Sequence, residues 1–196
     1  MKTKKIGVLA VQGAVSEHTD KLEALGNVEV SVVKYAHELE QLDGLIIPGG
    51  ESTAIGRILR DFSLSEPIRR RYREGMAIWG TCAGMILIAK ELADDDTRHL
   101  QLMDICVRRN AYGRQLDSFI TEETIPEIAD HPVPLVFIRA PYVERVLSPE
   151  VQVIFEINGH ITACRQERLF ATSFHPELTD DCAFHRYFVE KVVFKS

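Results

Sequence analysis

The sequence predicts a three-layer α/β fold, with a mostly parallel central sheet between helices and antiparallel strands added in the C-terminal half. Short segments rich in Val and Ile alternate with helical segments from residue 4 to about residue 93, which is typical of a parallel sheet. Further on, Asn158-Gly159 separates two strand-like segments and predicts a β-hairpin. With 196 residues, ordinary composition and no linker, the chain is expected to form one domain over 1–196.

The first half contains four predicted strands and four predicted helices. The strands are short apolar runs of the kind that a parallel sheet buries on both faces: Lys5–Ala10, Val28–Val33, Gly44–Ile47 and Met76–Trp79. The helices are predicted between and after them, at Ser16–Leu25, Thr53–Phe62, Glu66–Arg73 and Ala83–Leu92. Ser16 is a candidate N-cap of the first helix.

The second half is predicted to be more antiparallel. The segments Val151–Ile157 and His160–Arg165 flank the hairpin turn, and a third strand at Leu169–Phe174 follows them. A closing helix is expected over Asp180–Val193. The proline-containing region 94–135 gives no clear pattern.

Charge and cysteine content exclude several classes of function. The net charge of -6 offers no cationic surface for nucleic acid or an anionic membrane. The four cysteines lie far apart, so free thiols in a reducing cytoplasm are expected rather than disulfides. Cys182 and His185 are one helical turn apart and could supply two metal ligands, but no second pair with zinc spacing accompanies them. Neither a metal nor a cofactor is expected.

A candidate nucleophile lies in Gly80-Thr81-Cys82-Ala83-Gly84, directly between a predicted strand and a predicted helix. This is the context of a nucleophile elbow, with cysteine in the place of serine. The positive end of the following helix favours the thiolate form of Cys82. The alternative is a buried cysteine in a tight turn.

A thiolate nucleophile needs a proton carrier, and His175 is the best candidate among seven histidines. It follows a strand, and Glu177 lies two residues later, where an extended backbone would put both side chains on one face. Glu177 could then orient the imidazole, as the carboxylate of a catalytic triad does. The alternative is a loop histidine beside a turn-forming proline.

A second turn, Pro48-Gly49-Gly50-Glu51-Ser52-Thr53, also joins a strand to a helix. Adjacent glycines let backbone N–H groups approach a ligand closely. We therefore expect the N–H groups of Gly50 and Ala83 to form an oxyanion hole. The turn matches neither glycine-rich phosphate-binding motif, so nucleotide binding has no support.

These three motifs together resemble those of the class I (triad) glutamine amidotransferases. Val11–Ala14, Arg108–Gln115 and Phe137–Pro141 narrow the resemblance to the glutaminase subunits of pyridoxal 5′-phosphate synthase, and the similarity extends over nearly the whole chain. The sequence departs from this family at Val11, where Leu is common, and at Ala111-Tyr112, where Ser-Phe is frequent.

The resemblance implies a flavodoxin-like sheet and hydrolysis of L-glutamine to glutamate and ammonia. It also implies that a synthase subunit receives the ammonia to make pyridoxal phosphate. The family's glutamine-binding positions correspond to Gly50, Glu51, Ser52, Arg109, Ile138 and Arg139. We expect docking of that synthase subunit near Gln12 and Gly13 to complete the oxyanion hole.

Two other functions are compatible with the same residues. The chain could be an amidotransferase glutaminase, or a related cysteine hydrolase, that serves a different acceptor. It could also be a catalytically silent module that binds and regulates a partner. Glutamate release that depends on Cys82 separates the silent module from the enzymes, and capture of the synthase separates the two enzymes.

Overall fold

The computed structural model describes residues 3–93, 95–109 and 118–194. Residues 110–115, which belong to the motif that begins at Arg108, lie outside these ranges. The strands are β1 Lys4–Leu9, β2 Val28–Val33, β3 Gly44–Ile47, β4 Ala77–Thr81, β5 Ala89–Leu92, β6 Met103–Arg108, β7 Ser118–Glu123, β8 Val133–Ile138, β9 Tyr142–Val146, β10 Gln152–Ile157, β11 His160–Gln166 and β12 Leu169–Thr172.

The helices are α1 Val15–Leu25, α2 Ser52–Asp61, α3 Ser65–Arg73, α4 Ala83–Ile88 and α5 Ala183–Tyr187. A π-helical segment, Phe188–Val193, continues directly from α5, and short 3₁₀ turns cover Ala36–Leu39 and Pro176–Leu178. Among the helices within the described ranges, none combines the length and apolar character needed to cross a membrane.

The main sheet has the predicted mixed architecture. Its strand order is β2-β1-β3-β4-β12-β11-β9-β6-β5, with β10 paired to β11. The first five strands in this order are mutually parallel, and their order is that of a flavodoxin-like sheet. Strands β11, β9 and β10 provide the antiparallel extension, while β7 and β8 form a separate antiparallel pair.

Helices cover both faces of the sheet, which gives the predicted three layers. Adjacent residues on a strand point to opposite faces, so Ile78 packs with α2, α3 and α4, whereas Trp79 packs with α1 and α5. Strands β3, β4 and β12 are buried along their whole length, which explains their continuous apolar sequences.

Most predicted elements are confirmed, including the hairpin at Asn158-Gly159. Both turn residues have positive φ, 52° and 77°, as a two-residue hairpin turn with this sequence requires. The predicted cap is wrong, because α1 begins at Val15 with Ala14 as its N-cap. The Ser16 hydroxyl instead donates to Glu17 Oε2 at 2.9 Å.

The predicted helix Ala83–Leu92 is also wrong over its last four residues. Leu100 N–H and Leu102 N–H donate to the carbonyl oxygens of Leu87 and Ile88, each at 2.9 Å. Another segment therefore occupies acceptors that a longer helix would have used. The chain becomes extended at Ala89 and forms β5, which pairs in parallel with β6.

Candidate active site

Cys82 lies in a strained turn between β4 and α4. Its φ and ψ are 49° and −107°, an unusual conformation for a residue with a side chain. Such strain typically costs about 1–3 kcal/mol and persists where surrounding contacts enforce it. The Cys82 N–H donates to the Thr172 carbonyl oxygen at 2.8 Å, which fixes the turn to the end of β12.

The glycines beside the nucleophile are required for close packing. A Cβ atom at Gly80 would lie 2.4 Å from the Gly84 carbonyl group, and one at Gly84 would lie 2.0 Å from the Ile47 carbonyl oxygen. The positive φ of the turn belongs to Cys82 itself and to neither glycine. Gly80 and Gly84 therefore matter because they lack a side chain, which lets the backbone of the elbow pack closely against β3.

His175 and Glu177 follow β12, which is the neighbour of β4 in the sheet. His175 Nδ1 lies 2.8 Å from Glu177 Oε1. The backbone N–H of His175 donates to the Val136 carbonyl oxygen at 2.8 Å. The segments that carry Cys82 and His175 therefore both extend from the carboxyl ends of adjacent parallel strands, where α/β sheets bind their ligands.

Charge interactions favour the protonated form of His175. Burial lowers the pKa of His175, but hydrogen bonds to Cys82 and Glu177 and the charges of both groups outweigh this effect and raise it to about 10. The imidazole is therefore cationic at neutral pH, next to the sulfur and held from behind by a buried carboxylate. This arrangement suits a thiolate–imidazolium pair.

The predicted residues surround one cavity of about 340 Å³. Among the predicted site residues, only Glu177 is absent from its wall, and this residue reaches the cavity through His175. The wall also includes two residues that were not predicted as ligands, Ile86 and Pro141. The wall contains Gly50, Glu51, Ser52, Cys82, Ala83, Ile86, Arg109, Ile138, Arg139, Pro141 and His175.

The turn at Gly49-Gly50 packs tightly between the loop after β1 and the side chains of Cys82 and His175. A Cβ atom at Gly49 would lie 2.5 Å from His175 Cε1 and 3.3 Å from Cys82 Cβ. On the other side, a Cβ at Gly13 would lie 1.9 Å from the Gly49 carbonyl oxygen. Gln12 Oε1 accepts a hydrogen bond from Glu51 N–H at 2.8 Å. The orientation of this turn thus depends on residues distant in sequence.

Glu51 stabilises the start of α2 with its carboxylate. Its side-chain oxygens accept from Thr53 N–H at 3.0 Å and Ala54 N–H at 2.7 Å. The bond from Thr53 is the main reason that the pKa of Glu51 is lowered. The backbone of Glu51 is engaged as well, because its N–H donates to Gln12 Oε1 and its carbonyl oxygen accepts from Ile55 N–H. Ser52, the first residue of α2, is buried beside it.

Two guanidinium groups border the cavity in different ways. Arg109 is partly buried and forms an ion pair with Asp95, with Nη2 and Oδ2 2.6 Å apart. Arg139 is exposed and has a positive φ of 42°, and Ile138 beside it is 39% exposed. Asp95 therefore holds Arg109 in a fixed position, whereas Arg139 lies on the open rim.

Comparison with known proteins identifies the family. The model of the SNO glutamine amidotransferase family matches residues 8–194. The chain belongs to this family.

SNO family relatives align along almost the whole chain. A protein of Ruminiclostridium cellulolyticum named pyridoxal 5′-phosphate synthase subunit PdxT is 58% identical over 189 residues, covering 96% of this chain and 100% of the relative. A protein of the same name from Carboxydothermus hydrogenoformans is 52% identical over 188 residues, covering 96% and 97%.

Solved structures agree with the family assignment. The crystal structure of a glutamine amidotransferase superimposes with a TM-score of 0.87 at 41% identity, covering 94% of this chain and 97% of that one. A glutamine amidotransferase from Thermotoga maritima has a TM-score of 0.62, with coverage of 100% of this chain and 86% of that one. At 11% identity, the second similarity shows a shared fold only.

Two buried histidines lie beside this site: His18, which sequence reasoning missed, and His185, which it considered only as a possible metal ligand with Cys182. His18 Nδ1 lies 2.9 Å from His185 Nε2, and His18 Nε2 lies 3.5 Å from Glu177 Oε2. One signal was available: His18 is four residues before Leu22, so it lies on the buried face of α1. No local pattern indicated that this face meets Glu177.

Proposed function

We propose that this chain hydrolyses L-glutamine to L-glutamate and ammonia, and that its ammonia serves a synthase subunit that makes pyridoxal 5′-phosphate. The observation that carries the proposal is the line of side chains at the cavity. Cys82 occupies the strained elbow, cationic His175 lies beside it, and Glu177 holds the far side of the imidazole at 2.8 Å.

In the first half of the reaction, the Cys82 thiolate attacks the side-chain amide carbon of glutamine. The carbonyl π bond opens, and the oxygen becomes an oxyanion. When the C–N bond breaks, His175 gives its proton to the departing nitrogen, and ammonia leaves a γ-glutamyl thioester on the sulfur. The raised pKa of His175, about 10, keeps the required proton on the imidazole before the attack.

In the second half, neutral His175 takes a proton from water, and the resulting hydroxide attacks the thioester carbon. The C–S bond breaks, glutamate is released, and the thiolate–imidazolium pair is restored. Glu177 orients the imidazole in both halves and stabilises its positive charge when protonated. Neither step requires a metal or a cofactor.

We assign the oxyanion hole to the N–H groups of Gly50 and Ala83. Gly49 O and Gly50 N belong to one planar trans peptide, so the carbonyl and N–H point in opposite directions. The carbonyl oxygen is directed at Gly13, in the loop after β1. Since β3 lies between β1 and β4, this geometry supports a Gly50 N–H directed towards the Cys82 side. Ala83 supplies the first N–H after the nucleophile.

The wall residues that the sequence predicted as substrate-binding are assigned to glutamine recognition. Arg109 and Arg139 offer guanidinium groups for the α-carboxylate, which such groups hold through charge-assisted hydrogen bonds. Gly50, Glu51, Ser52 and Ile138 complete the binding surface. The Arg109–Asp95 ion pair orients one of these guanidiniums before substrate arrives, which lowers the entropic cost of binding.

The acceptor is inferred from relatives named as subunits of pyridoxal 5′-phosphate synthase. We further propose that residues 1–196 act as one glutaminase domain, supported by a main sheet that pairs strands from both halves of the sequence. A cytoplasmic location is also part of the proposal. It is supported by four cysteines that are all free thiols.

The test is glutamate release from glutamine by the purified chain, with and without the synthase subunit. Cys82→Ala should abolish turnover and retain the thermal unfolding transition of the wild type. Cys182→Ala is the matched control, because Cys182 is a partly exposed thiol away from the cavity, and it should retain turnover. Turnover above background in folded Cys82→Ala would refute the mechanism. Failure of the synthase subunit to bind the chain would show that the ammonia serves a different acceptor.

A further inference from the structure

The second oxygen of the catalytic carboxylate faces a polar group that the mechanism does not use. Glu177 Oε1 binds His175, while Oε2 is buried and has no partner at ordinary hydrogen-bond length among the described residues. His18 Nε2 lies 3.5 Å from Oε2, and both side chains are fully buried. A buried carboxylate oxygen without a hydrogen-bond donor is costly, so an N–H of His18 directed at Oε2 would stabilise the carboxylate.

His18 reaches this position from the buried face of α1. Its Nε2 also lies 3.4 Å from the Thr81 hydroxyl, and its ring lies nearly perpendicular to that of Trp79, with the two ring centres 5.8 Å apart. On the opposite side, Nδ1 lies 2.9 Å from His185 Nε2. Strand β4 and helix α5 thus fix the imidazole between them, directly behind the His175–Glu177 pair.

Hydrogen-bond chemistry determines the protonation of this chain of groups. Burial lowers the pKa of His18 to about 3 and that of His185 to about 3, so both rings are neutral at physiological pH. The Glu177 carboxylate only accepts hydrogen bonds, and the Thr81 hydroxyl can also accept, so we assign the proton of His18 to Nε2, the tautomer that presents a donor to both groups. Nδ1 of His18 is then an acceptor, and His185 must donate to it from Nε2. The remaining atom, His185 Nδ1, is accordingly unprotonated, and within the described residues it has no hydrogen-bond partner.

We propose that His18 is a positioning residue for the glutaminase reaction, whose Nε2–H directs Glu177 so that the other carboxylate oxygen stays aligned with His175. His185 fixes the tautomer of His18 from behind. This inference rests on the proposed function. His18 lies outside the cavity wall and next to Glu177, so we expect it to act only through Glu177 and His175.

Three substitutions at position 18 separate the N–H donor from the volume of the ring. The amide nitrogen of Gln can occupy the place of imidazole Nε2, whereas that of Asn corresponds to Nδ1 and cannot reach Glu177. Leu fills similar space without any donor. His18→Gln should therefore retain kcat within about threefold, while His18→Asn and His18→Leu lose roughly tenfold to a hundredfold. This is the range seen when outer partners of metal-bound histidines are removed.

The assay is glutamate release by the full chain with saturating synthase subunit, with kcat and KM determined separately. KM for glutamine should change by less than about twofold in all three variants, because the cavity wall is unaltered. Labelling of Cys82 by iodoacetamide, measured by peptide mass spectrometry, provides a readout without glutamine. It should slow in the Asn and Leu variants and not in the Gln variant, because a misaligned imidazolium stabilises the thiolate less.

Equal kcat values in wild type and folded His18→Leu would overturn the inference while leaving the proposed function intact. A His18→Gln variant as impaired as His18→Asn would also overturn it, since the donor would then be irrelevant. If His18→Leu fails to fold, the difference in kcat between His18→Gln and His18→Asn tests the inference instead. A wild-type protein that releases no glutamate would refute the proposed function itself, and the labelling experiment would still test the alignment.

Discussion

Gly49 provides a sharp test of the proposed site because its hydrogen atom occupies the space beside the side chains of His175 and Cys82. A Cβ atom introduced by Gly49→Ala would lie 2.5 Å from His175 Cε1, whereas ordinary contacts begin at 3.4 Å. The imidazole or the turn must therefore move by about 0.9 Å, the difference between these two distances. A misplacement of about 1 Å in a catalytic group can cost about a hundredfold in rate. We expect kcat for glutamate release to fall by about that factor, with a smaller change in KM.

The control for Gly49→Ala is Gly26→Ala. Gly26 is the C-cap of α1 with a φ of 69°, and a Cβ there would meet no atom within 4 Å. This variant should lower the free energy of unfolding by about 1 kcal/mol through backbone strain and leave kcat unchanged. Kinetics and thermal unfolding are measured for both variants. A Gly49→Ala enzyme with wild-type kcat would show that the packing between Gly49, His175 and Cys82 is not required for catalysis.

Three further predictions concern charge, substrate recognition and the partner. Glu177→Gln removes a hydrogen bond and a charge that raise the pKa of His175, so the alkaline limb of the kcat–pH profile should move to lower pH; an unmoved limb would contradict this assignment. The raised pKa also stabilises the folded protein: this contribution is complete below pH 6.5 and is lost as the pH rises through about 10. The difference in unfolding free energy between the wild type and Glu177→Gln should therefore shrink between pH 6.5 and about 10. Arg109→Ala should raise KM for glutamine more than it lowers kcat, and an unchanged KM would remove Arg109 from substrate recognition. Titration with the synthase subunit should increase glutamate production, because a subunit docked on exposed Gln12 and Gly13 would hold the turn with the Gly50 N–H directed inward, and loss of one oxyanion donor typically costs about a hundredfold to a thousandfold. A rate that is already maximal without synthase would show that the hole is complete in the free chain.

The parts of the site that sequence predicted best are those determined by local chemistry. Cys82 was recognisable because a strand, a small-residue turn and an apolar helix adjoin it in the chain. His175 and Glu177 were recognisable because two residues of separation suffice for their contact. The hairpin at Asn158-Gly159 was predicted for a similar reason, since both residues tolerate positive φ.

The features that sequence did not predict depend on distant segments. Residues 89–92 are compatible with a helix by themselves, but Leu100 and Leu102 occupy the helix acceptors and strand β6 offers pairing. The contacts of His18 with Glu177 and His185 could not be predicted for the same reason, because these residues are far apart in sequence and meet only in the folded chain. Propensity and spacing within a segment carry no information about such encounters.

The hydrogen bond between Cys82 N–H and Thr172 O also has a consequence for protein synthesis. Strand β12 lies beside β4 in the sheet, yet the ribosome makes β5 to β11 between them. A nascent chain ending after α4 contains Cys82 but lacks His175, Glu177 and the strand that fixes the elbow. In the proposed mechanism, partly translated chains therefore cannot hydrolyse glutamine, and the proposed triad assembles only when β12 pairs with β4.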